Sequence, residues 1–202
     1  MRYEFLIDTY ATERMKTLSV WSHFKEDDLA WRPADPLKRG RSVLEQMVHQ
    51  CNSEDFWFKS MLGIDLAKKP LPASETRYEF LTIYAAHSAE RLERLRVQTD
   101  AWWESPVQFF ETTRPRAWVM TRRMTHNSHH RGQLTAYLRM LGRELYSTYG
   151  PTSDTGGLML NHAPVVYPYS DTNELLAGER FGGKKKTLPG VPVNLPITER
   201  PD

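Results

Sequence analysis

The 202-residue chain has a single cysteine, Cys51. An internal disulfide is excluded, and a reducing cytoplasm is the expected compartment. Long apolar runs are also lacking. None approaches the roughly 18–20 residues that a membrane-crossing helix requires. The N-terminus, MRYEFLIDTYATERMK, carries acids and polar groups where a secretion signal needs a continuous apolar stretch. Charge of one sign is scarce as well: Lys and Arg number 27 against 25 Asp and Glu, and they are interspersed. A protein that gains affinity by neutralising phosphates usually carries a basic stripe or patch. The one dense run, Lys184-Lys185-Lys186 beside Gly182-Gly183, reads as a solvated loop. Neither nucleic acid nor a membrane is an expected partner.

Several catalytic signatures are missing. The stretch His126-Asn127-Ser128-His129-His130 has Asn127 where a zincin protease needs its general-base Glu. The paired glycines at 156–157 and 182–183 lack the Lys and Ser/Thr of a phosphate-binding loop. No G-x-S-x-G nucleophile elbow occurs. Asp27-Asp28 falls in a loop and reads as surface charge.

What is present is an ordinary globular composition, 40% apolar and 26% charged. The chain is long enough to bury a core. Its composition changes near residue 147: residues 147–202 hold seven of the thirteen prolines and seven of the eleven glycines, so long helix is not expected there. The expected division is a helical domain at 1–146 and an irregular Pro/Gly-rich extension at 147–202, packed on the bundle or on a partner subunit. Truncation after Gly150 would tell a packed segment from a loose appendage.

Four helices are expected before that point. Leu6, Tyr10, Thr17, Trp21 and Phe24 recur at helical steps over residues 3–24. A loop broken by Pro33, Pro36 and Gly40 follows. Ser42-Val-Leu-Glu45 reads as a capping box that opens a second helix, with Leu44, Met47, Val48, Cys51, Phe58 and Leu62 as its buried side up to Gly63. Pro70 and Pro72 mark an extended crossover. Thr76-Arg-Tyr-Glu79 opens a third helix through about residue 98, with Phe80, Tyr84, Leu92 and Leu95 as its stripe. The Trp-rich link around Trp102 and Trp103 leads to Arg114-Pro115, where Pro suits a first turn. The fourth helix then runs to about Leu141 and stops at Gly142. With no strand pattern between them, an all-α four-helix bundle is the economical fold. Trp102, Trp103 and Trp118 are expected in its core.

The chemistry concentrates in the fourth helix. Residues four apart share a helix face with Cβ atoms about 6 Å apart, so His126 and His130 can point at one ion. Neutral imidazoles suit Zn, Ni, Cu or Fe. His126 and His129, three apart, can chelate too, and spacing alone does not choose. A third ligand must come from elsewhere, and His49, mid-way along the second helix, is the best candidate. His23, His87 and His162 are weaker. Cys51 sits on a different face from His49 and reads as packing.

The run from His126 through Gln133, followed by Tyr137-Leu-Arg-Met-Leu-Gly142, resembles the last helix of the DinB/YfiT-like family. Val48-His49-Gln50 resembles the region of that family's first metal-binding histidine. The resemblance spans about residues 1–145. It implies a four-helix bundle in up-down-down-up order with a long crossover between the second and third helices. It further implies one divalent metal ion, Zn or Ni foremost, on His49, His126 and His130, with His129 left in a supporting place. Some members are similar to thiol S-transferases that use bacillithiol or mycothiol, with maleylpyruvate isomerases among their relatives; others resemble metal-dependent hydrolases.

Three histidines leave a coordination position open, which suits a catalytic ion rather than a closed structural one. Such an ion lowers the pKa of bound water or thiol. The leading expectation is a metal-dependent transferase or hydrolase acting on a small molecule, with a low-molecular-weight thiol as co-substrate in the transferase form. The competing expectation is a non-catalytic stress-response protein in which the metal or pocket serves binding. Arg123 is a candidate to hold an anionic substrate, or else an ordinary ion pair. Gln133 and Tyr137 continue the His126–His130 face as supporting donors or core-lining groups. A homodimer fits bundles of this kind, although no heptad seam marks an interface.

Overall fold

The computed structural model describes residues 2–33, 40–182, 184–196 and 198–199. Pro36, one of the expected breakers, and Gly183 of the expected solvated loop lie outside the described residues. The fold is mostly helical. Four long helices carry the core: α1 (Glu4–Ser22), α2 (Val43–Trp57), α3 (Arg77–Arg96) and α5 (Arg116–Met140). A short α4 (Asp100–Glu104) and a two-stranded hairpin, β1 (Pro106–Phe109) and β2 (Thr112–Pro115), lie between α3 and α5, and α6 (Thr172–Phe181) lies in the C-terminal extension.

The helix boundaries follow from their caps. At α2 the Ser42 hydroxyl accepts from the Glu45 amide at 3.2 Å, and the Glu45 carboxylate accepts from the Ser42 amide at 2.7 Å. Such a cap is worth about 1 kcal/mol. Thr76 caps α3 by accepting from the Glu79 amide. The helix of residues 43–57 continues as one wider π-turn, Phe58–Leu62, and stops at Gly63, whose φ of +75° is natural only for glycine.

Two apolar clusters make the core. One holds Leu18 and Trp21 of α1, Met47 and Cys51 of α2, Phe80 and Tyr84 of α3, and Leu134 and Leu138 of α5. The other holds Leu6 and Tyr10, then Trp57 and Phe58, then Leu92 and Leu95, then Val119 and Met120. Between them lies a polar layer. Its centre is Glu54, fully buried, whose carboxylate takes the Arg123 guanidinium at 3.2 Å and the hydroxyls of Tyr10 and Tyr84 at 2.7 and 3.0 Å. Arg91 adds a second cation at 3.6 Å. Burial alone would raise this carboxyl, but Arg123 and Arg91 outweigh it and hold it below the usual range.

Three expectations need correction. The link before α5 contains strands: β1 and β2 pair antiparallel from Pro106↔Pro115 to Phe109↔Thr112. The strands are four residues long with proline at the outer end of each, too short for alternation to show in the sequence. Phe109 then packs edge-on against Trp57 at 5.3 Å. Pro115 is the N-cap of α5 rather than its first helical residue. Trp118 is exposed against Phe109, while Trp103 is core.

The extension is also less irregular than its composition suggests. Asp171 caps α6 by accepting from the Glu174 amide at 2.9 Å. Leu175 and Tyr169 join the first apolar cluster, and Arg77 of α3 pairs with Glu179 at 2.5 Å. Gly178 is required by packing, since a Cβ there would meet the Tyr169 ring at 2.6 Å. Lys185 is not fully solvated: it pairs with Glu179 at 3.1 Å and donates to the Ser22 carbonyl.

Candidate metal centre

Metal coordination by imidazole needs neutral rings whose ring nitrogens converge. α5 supplies two of them one turn apart, and α2, packed against α5, supplies the third. The Nε2 atoms of His49 and His130 lie 3.0 Å apart, and those of His130 and His126 lie 3.2 Å apart. One ligand atom from each ring fits within a 4.8 Å span. Bonds of about 2.0–2.1 Å in a tetrahedral arrangement place donors roughly 3.3 Å apart, so the cluster has the dimensions of a three-histidine site. Three histidines are thus positioned to hold a metal ion.

Burial suppresses protonation of all three rings. The His126 pKa falls to about 3, chiefly through burial and then the Arg123 charge, and that of His130 falls to about 4 through burial and its histidine neighbours. His49 is lowered as well, by burial and by Arg41 and Arg123. At neutral pH each ring therefore keeps a lone pair for a ligand.

The surroundings orient the rings. His130 Nδ1 sits 3.0 Å from the Gln133 side-chain oxygen, which assigns the hydrogen to Nδ1 and frees Nε2. The same oxygen accepts from Gln46 Nε2 at 2.8 Å, so Gln133 is itself tethered to α2. His126 is different: its Nδ1 faces Arg123 Nη1 at 3.2 Å, a donor rather than an acceptor. The two α5 rings are therefore not equivalent. Trp57 stacks on His126 with centroids 5.8 Å apart, and the hairpin's Phe109 backs Trp57.

The pattern matches a known family. The DinB family model matches residues 5–156. The chain belongs to the DinB family. As a DinB-family fold it is similar to a solved DinB-like protein from Bacillus cereus ATCC 10987, at a TM-score of 0.64 and 18% identity, covering 72% of this chain and 97% of that one. It is also similar to a DinB-like protein from Bacillus subtilis, at a TM-score of 0.58 and 15% identity, covering 71% and 96% of the two chains. No curated protein matches.

The remaining candidates of this DinB chain fall in distinct places. His129 is exposed on the pocket wall, 3.1 Å from Gln133 Nε2. Arg123 is only 1% exposed, bound to Glu54, Ser53 and the Gln50 carbonyl. It touches His126 but does not reach the pocket, so the ion-pair alternative describes it. Tyr137 packs edge-on against Trp31, and its hydroxyl donates to the Arg41 carbonyl at 3.1 Å. Cys51 is buried and its thiol is pushed up by burial, which leaves it inert as a nucleophile.

Sequence reasoning misses Arg41 and Arg122, which line the pocket over the histidines. It also misses the inward face of α2. Gln46, Gln50 and Glu54 recur every four residues and are all buried, yet polar residues at that spacing read as a solvent face.

Proposed function

We propose that His49, His126 and His130 hold one divalent ion, and that the protein is a metal-dependent enzyme of the transferase or hydrolase type. The observation that carries this reading is the convergence of three neutral imidazoles on one point beneath an open pocket of about 480 Å³. Zinc or nickel suits the all-nitrogen donor set. Three protein ligands would leave an open position, where a bound ion would supply Lewis-acid activation of a water or thiol. Gln133 holds the His130 ring, and Trp57 walls the His126 side. The co-substrate in the transferase form is a low-molecular-weight thiol.

Support for the four long helices forming an up-down-down-up bundle comes from the two apolar clusters. The N-terminal halves of α1 and α5 and the C-terminal halves of α2 and α3 share one cluster, and the opposite halves share the other.

One observation favours a second reading, metal binding without turnover: the described residues of the pocket wall include no carboxylate to act as general base. The test is tag-free protein, elemental analysis, and assays of thiol conjugation to an electrophile and of ester hydrolysis. Stoichiometric metal with turnover, both lost in His49→Ala, supports the enzyme. Metal without turnover on thiols or esters supports the binding protein.

A further inference from the structure

The electrostatics of the pocket define the class of molecule that enters it. A divalent ion on three uncharged imidazoles would keep its full charge, since the candidate ligand set among the described residues includes no carboxylate or thiolate. The wall around it adds more positive charge. Beside the three histidines, the pocket is lined by Arg41, Arg122, Thr125 and His129, and the described lining has no Asp or Glu.

The two arginines come from different elements. Arg122 precedes His126 by one turn on α5, with its side chain exposed. Arg41 immediately precedes the Ser42 cap of α2, and Tyr137 of α5 holds its carbonyl at 3.1 Å. The backbone of Arg41 is thus fixed to the same helix that carries His126 and His130. Arg123, by contrast, is buried against Glu54 in the polar layer and does not line the pocket.

We infer that the substrate is a small organic anion, with a carboxylate or phosphate tail held by Arg41 and Arg122 while its reacting end lies over the three histidines. The inference rests on the metal reading above and extends it to the substrate. Guanidinium forks suit both kinds of tail because each presents paired oxygens. An excess of positive charge in a concave site also draws anions in by long-range attraction, which salt weakens. A neutral molecule of the same shape gains none of this.

The test uses metal-replete full-length protein, with metal content measured on every sample first. Succinate and glycerol 3-phosphate are titrated calorimetrically against wild type, Arg41→Ala, Arg122→Ala and the double variant at fixed ionic strength. Succinamide and glycerol serve as uncharged controls. The expected result is binding of at least one anion and of neither control, weakened about tenfold in each single variant and further in the double, at unchanged metal content. Which anion binds tells carboxylate from phosphate. Equal binding of anion and control, no anion binding to metal-loaded wild type, or unaltered affinity in the double variant would each overturn the inference while leaving the metal site standing. A wild type that takes up no metal fails at the earlier step and removes both readings together.

Discussion

The side-chain oxygen of Gln133 lies 3.0 Å from His130 Nδ1 and 2.8 Å from Gln46 Nε2. One amide therefore fixes the tautomer of a candidate ligand and ties α5 to α2. Partners of this kind that orient a ligating histidine are worth about 10–100-fold in metal affinity. Gln133→Leu is expected to weaken metal binding by that factor in a chelator competition, whereas Gln133→Glu, which keeps an acceptor, retains most of it. Equal affinity in Gln133→Leu and wild type would remove Gln133 from the account.

The buried pair Arg123–Glu54 makes a stability prediction. Removing one partner of a buried pair leaves an uncompensated charge, at about 3–5 kcal/mol. Arg91 still faces Glu54 at 3.6 Å, so Arg123→Ala is expected near 3 kcal/mol by urea denaturation. The double variant Arg123→Leu/Glu54→Leu should lose less than the sum of its two single changes. Strict additivity would contradict coupling of the two charges.

His23 gives a pH prediction independent of the metal. The ring is buried, stacked on Tyr146 at 4.8 Å, and neither nitrogen has a hydrogen-bond partner among the described residues. Burial, then the charges of Lys185 and Arg77, hold its pKa down to about 3. The unfolded chain takes up a proton near 6.5, so between about 3 and 6.5 it binds more protons than the native state. Stability therefore falls as pH drops through that window. His126 and His130 act in the same direction in metal-free protein, so the comparison is with His23→Phe, which keeps the stacked ring. Metal-free His23→Phe should lose less stability between pH 7 and pH 4 than metal-free wild type, by denaturant titration at each pH. Parallel losses would mean that His23 is protonated in the folded protein.

The C-terminal extension should be part of the cooperative fold. Leu175 is 1% exposed within the first apolar cluster. Leu175→Ala is expected to cost about 3 kcal/mol, and truncation after Gly150 to lower the melting temperature and expose apolar surface. Unchanged melting after truncation would make the segment an appendage.

Much of this architecture was legible from residue patterns, for identifiable reasons. Leu6, Tyr10, Thr17, Trp21 and Phe24 share one buried side because 3.6-residue periodicity survives in any amphipathic helix. The Ser42 and Thr76 caps are local chemistry, which a short window of sequence contains in full. His126 and His130 could be paired by spacing and His49 singled out by its place mid-way along the second helix, but the choice of His130 over His129 rests on the family resemblance. What stayed hidden depends on distant contacts. The Gln46–Gln50–Glu54 face looks solvent-directed until Arg123, Tyr10 and Tyr84 are brought to it from three other helices. Arg41 looks like a loop residue until Tyr137, 96 positions away, holds its carbonyl. The composition of residues 147–202 spoke against helix, and that argument passed over the local Asp171-Thr-Asn-Glu174 cap that opens α6.

The central claim is that His49, His126 and His130 share one ion. Its most direct test is elemental analysis of tag-free protein after metal-replete expression, alongside His49→Ala, His126→Ala and His130→Ala variants checked for folding by circular dichroism. The account predicts about one equivalent of a divalent transition metal per wild-type chain and a large loss in each folded variant. Metal-free wild-type protein, or full occupancy retained in His49→Ala, would contradict it.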